Sequence, residues 1–243
     1  MDAMIEKEPV TVILSTKGWI RAAKGHVDLA QEFKYKEGDE LAFILHAQTT
    51  DKLLIAAENG RFYTLGCDRL PGARGFGEPV RTMIDLDADT SIAKMLVHKP
   101  GGRLLLASSI GKGFVAETAE LLAETKKGKQ VVNLKGDARL QVLREIGDGH
   151  DHVASVGENR KLVVFALDEM TVMAKGQGVT LQRYRDGGLS DATTFKLEEG
   201  LSWTMGGSGD RTRTENEIGM WKVARGAAGR LPPQGFPKNN RFE

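Results

Sequence analysis

Four stretches of this chain share one pattern of apolar and polar positions: Val10–Ala22 (VTVILSTKGWIRA), Leu53–Leu65 (LLIAAENGRFYTL), Leu104–Ala116 (LLLASSIGKGFVA) and Val153–Leu167 (VASVGENRKLVVFAL). Each opens on a short apolar run, breaks at turn residues and resumes as a second apolar run, which is the pattern of a β-hairpin. Asn59-Gly60 is the strongest of these turn signals, because both residues tolerate a positive φ. Thr16-Lys17-Gly18 and Gly111-Lys112-Gly113 break the first and third stretches, and Asn159-Arg160 stands in the fourth where Asn59-Gly60 stands in the second. Copies of one hairpin recurring about every 40 to 60 residues predict a radial or stacked β architecture, in which each unit buries a face against its neighbours.

Five units follow, at about residues 9–48, 49–98, 99–151, 152–209 and 210–243. The first carries strand candidates Val10–Ser15, Trp19–Ala23 and Glu40–His46, with a turn signal over Lys34–Asp39 before the alternating Leu41, Phe43 and Leu45. The second passes into Leu70–Pro79 (LPGARGFGEP), too rich in glycine and proline for helix or strand. In the third, Ala116–Lys127 predicts no more than a helical turn, since it holds few apolar residues. The fifth is incomplete and predicts an irregular, partly ordered end after Ile218–Val223.

Composition narrows the class. With 243 residues and 40% apolar content the chain can bury a substantial core, and one repeat array predicts a single domain over residues 1–243. Cys67 has no partner for a disulfide, no apolar run reaches the length of a membrane span, and the N-terminal residues lack the order of a secretory signal. An intracellular soluble protein, or an excised piece of one, is expected. Thirty-four Lys and Arg against 33 Asp and Glu leave a net charge of +1, so balance alone does not point to nucleic acid. Distribution does more. Acidic residues gather at Asp85–Asp89, Glu117–Glu124 and Glu198–Glu199, whereas basic residues recur beside turn glycines at Lys17-Gly18, Lys24-Gly25, Arg74-Gly75, Lys127-Gly128, Lys175-Gly176 and Arg225-Gly226.

No catalytic constellation stands in the chain. His150 and His152 flank Asp151, but no cysteine or further histidine nearby completes a metal set. Gly72-x-x-Gly75-x-Gly77 and Gly206-Gly207-x-Gly209 join no strand to a long helix and read as turns, not as dinucleotide sites. There is no Walker sequence, Gly-x-Ser-x-Gly elbow or His-Glu-x-x-His. No cofactor is expected. Trp19, Trp203 and Trp221 lie in or beside strand-like runs and read as packing residues.

Three segments carry a family resemblance. Trp19–His26 (WIRAAKGH), Leu70–Pro79 and Gly113-Phe114-Val115 with the following Lys127-Gly128-Lys129 closely resemble the C-terminal domains of the A-type subunit of topoisomerase IV, over essentially the whole chain and most strongly from Val10 to Leu143. The resemblance implies a β-pinwheel of about five four-stranded blades, open or broken, whose blades exchange a strand with a neighbour. It also implies a basic rim that binds and bends duplex DNA, and an accessory part in an ATP-dependent type II topoisomerase. The implied partners are the N-terminal part of the same polypeptide and the enzyme's B-type subunit. The isolated domain is expected to be monomeric, and the location cytoplasmic and nucleoid-associated. The DNA-cleaving tyrosine of such enzymes lies outside this domain, so Tyr35, Tyr63 and Tyr184 are assigned no such role. Related gyrase domains carry a basic box, Gln-Arg-Arg-Gly-Gly-Lys-Gly; none stands here, and Ala73–Gly77 and Ala174–Gly178 are degenerate forms of it.

The expected DNA-contacting residues are Lys17, Arg21, Lys24, Arg61, Arg69, Arg74, Arg81, Lys112, Lys126, Lys127, Lys129, Lys175, Arg183 and Arg185. They are chosen as a row of phosphate contacts with little reading of bases. A propeller scaffold for a protein partner would use the same repeats and suits the near-zero net charge. A propeller enzyme would need convergent histidines or carboxylates, and the five histidines are dispersed.

Overall fold

The computed structural model describes residues 4–205 and 211–243. Its described residues form strands, turns and short 3-10 turns, with no α-helix. The chain opens with β1 (Pro9–Ser15), β2 (Trp19–Lys24) and β3 (Leu41–Gln48), antiparallel with β1 in the middle. β4 (Lys52–Ala57) and β5 (Arg61–Gly66) form the second hairpin. Then the chain turns back: β6 (Glu78–Pro79) leaves its own hairpin and pairs with β2, setting Glu78 opposite Ile20 and Pro79 opposite Trp19. β7 (Ile92–Val97) returns to the open edge of β4.

The same step recurs twice. After the hairpin of β8 (Arg103–Ser108) and β9 (Lys112–Glu117), β10 (Lys129–Gln130) joins β5, and β11 (Leu140–Glu145) pairs with β8. After β12 (His152–Gly157) and β13 (Leu162–Ala166), β14 (Val179–Thr180) joins β9, and β15 (Leu189–Phe195) closes on β12. β16 (Leu201–Thr204) pairs with β17 (Thr212–Glu215), and the chain beyond them sends Arg230 to a bridge with Leu162 of β13. Each blade thus receives its outer strand from the next unit, the exchange that the resemblance implied. Leu201–Trp203, expected in the fourth unit, belong to the last hairpin. The expected boundary at 209/210 and the Gly206–Gly209 arrangement fall in the segment joining its strands, outside the described residues.

The legible strands are the inner ones. β1, β4, β8 and β12 lie between two neighbours and are buried along nearly their whole length. A strand covered on both faces needs apolar side chains at successive positions, so it reads as a run instead of an alternation. The exchanged strands are two residues long and held by a glycine. Gly77, Gly128, Gly178 and Gly229 have φ between +64° and +86°, a region that costs L-residues energy. A Cβ on any of them would collide with the backbone carbonyl of the receiving strand, at Ile20, Phe62, Gly113 and Leu162 in turn.

Two compact units divide the chain, residues 1–100 with 121–130, and residues 101–120 with 131–243. The first is built on Val12, Leu14, Ile20, Leu53, Ile55, Tyr63 and Val80. In the second, Leu105, Val153, Phe165 and Leu189 form one cluster, and Val156, Leu162, Trp203, Trp221, Phe236 and Phe242 another. The last two residues correct an expectation. The end of the chain is irregular but packed: Phe236 and Phe242 meet edge to face at 5.4 Å, and Phe236 meets Trp203 at the same distance.

Arg160 explains how that end is held. At the hairpin turn where the other blades place Gly18, Gly60 and Gly111, the fourth places an arginine with φ +68°. Its guanidinium donates to the carbonyls of Phe236 and Pro237 and to the side chain of Asn240, and lies over the Phe236 ring. Charge-assisted hydrogen bonds of this kind offset a left-handed backbone cost of about 1–2 kcal/mol.

Candidate nucleic-acid interface

The recurrence of a basic residue beside glycine has a structural cause. Each exchanging segment first touches the receiving blade in parallel, at Gly72 beside Ala22, Val172 beside Val115 and Lys222 beside Val164. In the second blade the corresponding tie is the Ala123 N–H donating to Thr64 Oγ1. The segment then loops outward and returns at its locking glycine. Arg74, Lys126 with Lys127, and Lys175 occupy the first three loops and are exposed. Arg225 occupies the fourth, but it is half-buried and donates to the Thr180 carbonyl at 2.8 Å.

Four expected contacts also hydrogen-bond to the protein itself: Arg21 is buried, Arg61 and Lys112 are half-buried and Arg81 is exposed. Arg21 is only 4% exposed: it donates to the Gly75 carbonyl at 2.7 Å and the Lys34 carbonyl at 2.5 Å, with Phe33 and Tyr35 against its guanidinium. It faces away from the core, yet the loops over residues 31–36 and 71–77 cover it. Arg61 donates to the carbonyls of Lys127 and Gly128, and so holds the second exchange loop. Arg81 donates to the carbonyls of Leu86, Asp87 and Thr90. Lys112 reaches Gln177 Oε1 at 3.5 Å.

Lys17, Lys24, Arg69, Arg183 and Arg185 are exposed, Lys126 also touches the Thr82 carbonyl, and Lys129 is half-buried in β10. Lys34 and Lys36 were not among the expected contacts. Both are exposed, and Lys36 Nζ sits 3.7 Å from the Trp19 ring centroid. Their segment carried only a turn signal, so nothing along the chain marked which side of it faces water.

Lys17 is presented by Asp39. The Asp39 carboxylate accepts from the Thr16 hydroxyl and from the N–H groups of Lys17 and Glu40. Burial alone would raise its pKa, but these bonds and one from Ser15 outweigh it and hold the group at about 2, below the ordinary 3.8. A depressed carboxylate contributes stability that is whole above its unfolded pKa and is lost as pH falls through the folded one. Acid titration followed by Trp19 fluorescence should therefore show stability declining from about pH 4 toward 2. Asp39→Asn should be weaker at neutral pH and lack that part of the slope; an unchanged slope would remove Asp39 from this role.

The remaining chemistry is structural. Tyr63 is buried and donates to the Asp85 carbonyl, Tyr35 packs on Arg21, and Tyr184 fills the space beside Gly111 and Gly157, where burial raises its pKa. His152 Nδ1 meets Asp151 Oδ1 at 2.8 Å, while His150 Nδ1 turns to the Thr194 hydroxyl and the Gly147 N–H. Among the described residues no group of three or more His, Cys, Asp or Glu is placed to hold a metal ion.

No protein-family model matches the chain. Over 242 residues it is 47% identical to the A-type subunit of DNA topoisomerase 4 from Caulobacter vibrioides, covering 100% of this chain and 31% of that protein. Identity to the corresponding protein of Rickettsia bellii is 48% over 241 residues, 99% of this chain and 32% of the relative. The chain thus spans about a third of the length of these relatives. The solved structure of the Escherichia coli ParC C-terminal domain superposes with a TM-score of 0.81 at 26% identity, covering 93% of this chain and 95% of that one. A gyrase A C-terminal domain superposes with a TM-score of 0.67 at 18% identity, over 96% of this chain and 80% of that one, which shows a shared fold.

Proposed function

Because this chain belongs to the family of C-terminal domains of the topoisomerase IV ParC protein, with their β-pinwheel fold, we propose that it binds and bends duplex DNA. It does so as the accessory domain of a type II topoisomerase. The observation that carries this reading is the exchange loop, repeated with an exposed cation on each of the first three copies: Arg74, Lys127 and Lys175. A glycine lock fixes the returning end of each loop, which limits the freedom of the cations it carries. Cations so presented suit phosphates, which give affinity without sequence preference.

Titration of DNA at several salt concentrations tests the reading. With about five phosphates neutralised, log K should fall against log salt with a slope near −4 to −5. Replacing Arg74, Lys127 and Lys175 together by alanine should flatten that slope by about 2 to 3 while leaving the fold intact. A salt-independent affinity, or a folded triple variant that binds as well as the parent, would defeat it.

In the whole enzyme the domain presents a DNA segment to the cleavage core, which the rest of its own polypeptide forms together with the B-type subunit. Since no basic box is present and Arg225 is turned inward onto Thr180, the duplex is bent over part of the rim instead of being wrapped through a full turn. A bent segment suits crossings in linked or overwound DNA. Removing these 243 residues from the parent should impair decatenation and relaxation of positive supercoils more than relaxation of negative ones. Equal loss of all three activities would refute the preference.

A further inference from the structure

The exchange loops differ in the residue that precedes the locking glycine. The residue preceding the locking glycine is Lys127, Gln177 and Ala228 in the second, third and fourth loops, and Phe76 in the first. Where the second blade puts an exposed cation, the first puts an aromatic ring that is 40% exposed. Phe76 is not among the residues of the hydrophobic cluster of this unit.

The surroundings of Phe76 suit one class of partner. Arg74 stands exposed two residues before it. The buried Arg21 guanidinium holds the Gly75 carbonyl with one nitrogen and the Lys34 carbonyl with another, so the Phe76 loop and the loop bearing Lys34 and Lys36 are tied to a single group. Exposed cations therefore lie on both of the loops that Arg21 ties together, one of which carries the exposed ring, with Glu32 and Glu37 beside the lysines. The ring is carried on backbone that the Arg21 tie and the Gly77 lock hold in place.

We propose that Phe76 is an apolar wedge that enters the base stack of the bound duplex, while Arg74 and Lys34 contact the phosphates on either side. This rests on the DNA-binding reading above and adds the place of the bend. An inserted apolar side chain partly unstacks one base step and kinks the duplex. Pyrimidine–purine steps open most easily, so the wedge favours TA and CA steps at a site otherwise blind to sequence.

The test uses the full chain and a short duplex with 2-aminopurine placed beside repeated TA steps, whose fluorescence rises on unstacking. The wild type should raise the emission. Phe76→Ala should bind about fivefold more weakly with an unchanged salt slope and lose the rise, and Phe76→Trp should keep it. A rise that persists in Phe76→Ala, or no rise when the wild type is saturated with DNA, overturns the wedge but leaves DNA binding standing. No binding by the wild type overturns the DNA reading itself.

Discussion

Gly178→Ala should cost at least about 3 kcal/mol, because alanine there combines a left-handed backbone with a collision that no side chain can relieve. Gly178 has φ +82°, and a Cβ on it would meet the carbonyl oxygen, carbonyl carbon and Cα of Gly113, all of them backbone atoms. β14 is only two residues long, so it has no neighbouring ladder to absorb the shift and should leave β9. Gly75→Ala is the control. It lies in the corresponding loop of the first blade, its φ is not in the left-handed region, and nothing lies within 4 Å of an added Cβ. That substitution should change stability by about 0.5 kcal/mol or less. Urea unfolding read by far-ultraviolet circular dichroism, which reports on the unit of Gly178 and on the unit of Gly75 alike, separates the two. Equal stability of both variants would mean that the exchanged strand is not locked by its glycine.

The hairpins were legible and the exchange was not, for one reason of range. A turn such as Asn59-Gly60 joins neighbours in the chain, and its chemistry is written in adjacent residues. Glu78 opposite Ile20 or Val179 opposite Gly113 pairs two residues with strands many positions away, too short a run to leave a period. Only the resemblance supplied the exchange. The same limit governed the basic residues. Arg74, Lys127 and Lys175 were recognised by recurrence beside glycine, and they are exposed because a loop tip must be. Arg61 and Arg81 sit in the same composition but reach carbonyls: Arg61 those of Lys127 and Gly128, which only the fold brings near, and Arg81 those of the local loop at 86–90.

Arg21 shows the consequence most sharply. In an alternating strand with Ile20 turned to the core, Arg21 belongs to the opposite face, and an exposed face is a sound expectation for a charged residue. Here two loops cover that face, and the guanidinium joins them. Arg21→Met should therefore destabilise its unit by about 2–3 kcal/mol, from the loss of two charge-assisted hydrogen bonds and the contacts to Phe33 and Tyr35. Arg21→Lys should recover only part of this, because an ammonium cannot span both carbonyls as a planar fork does. At 4% exposure the side chain itself offers DNA almost nothing, so any fall in DNA affinity must come through Lys34, Lys36, Arg74 and Phe76 on the released loops. Urea unfolding read by Trp19, followed by DNA titration under conditions where the variant is folded, distinguishes the two roles. If Arg21→Met matched the wild type in stability yet lost DNA binding, the guanidinium would be a phosphate contact after all, and the tie between the loops would be incidental.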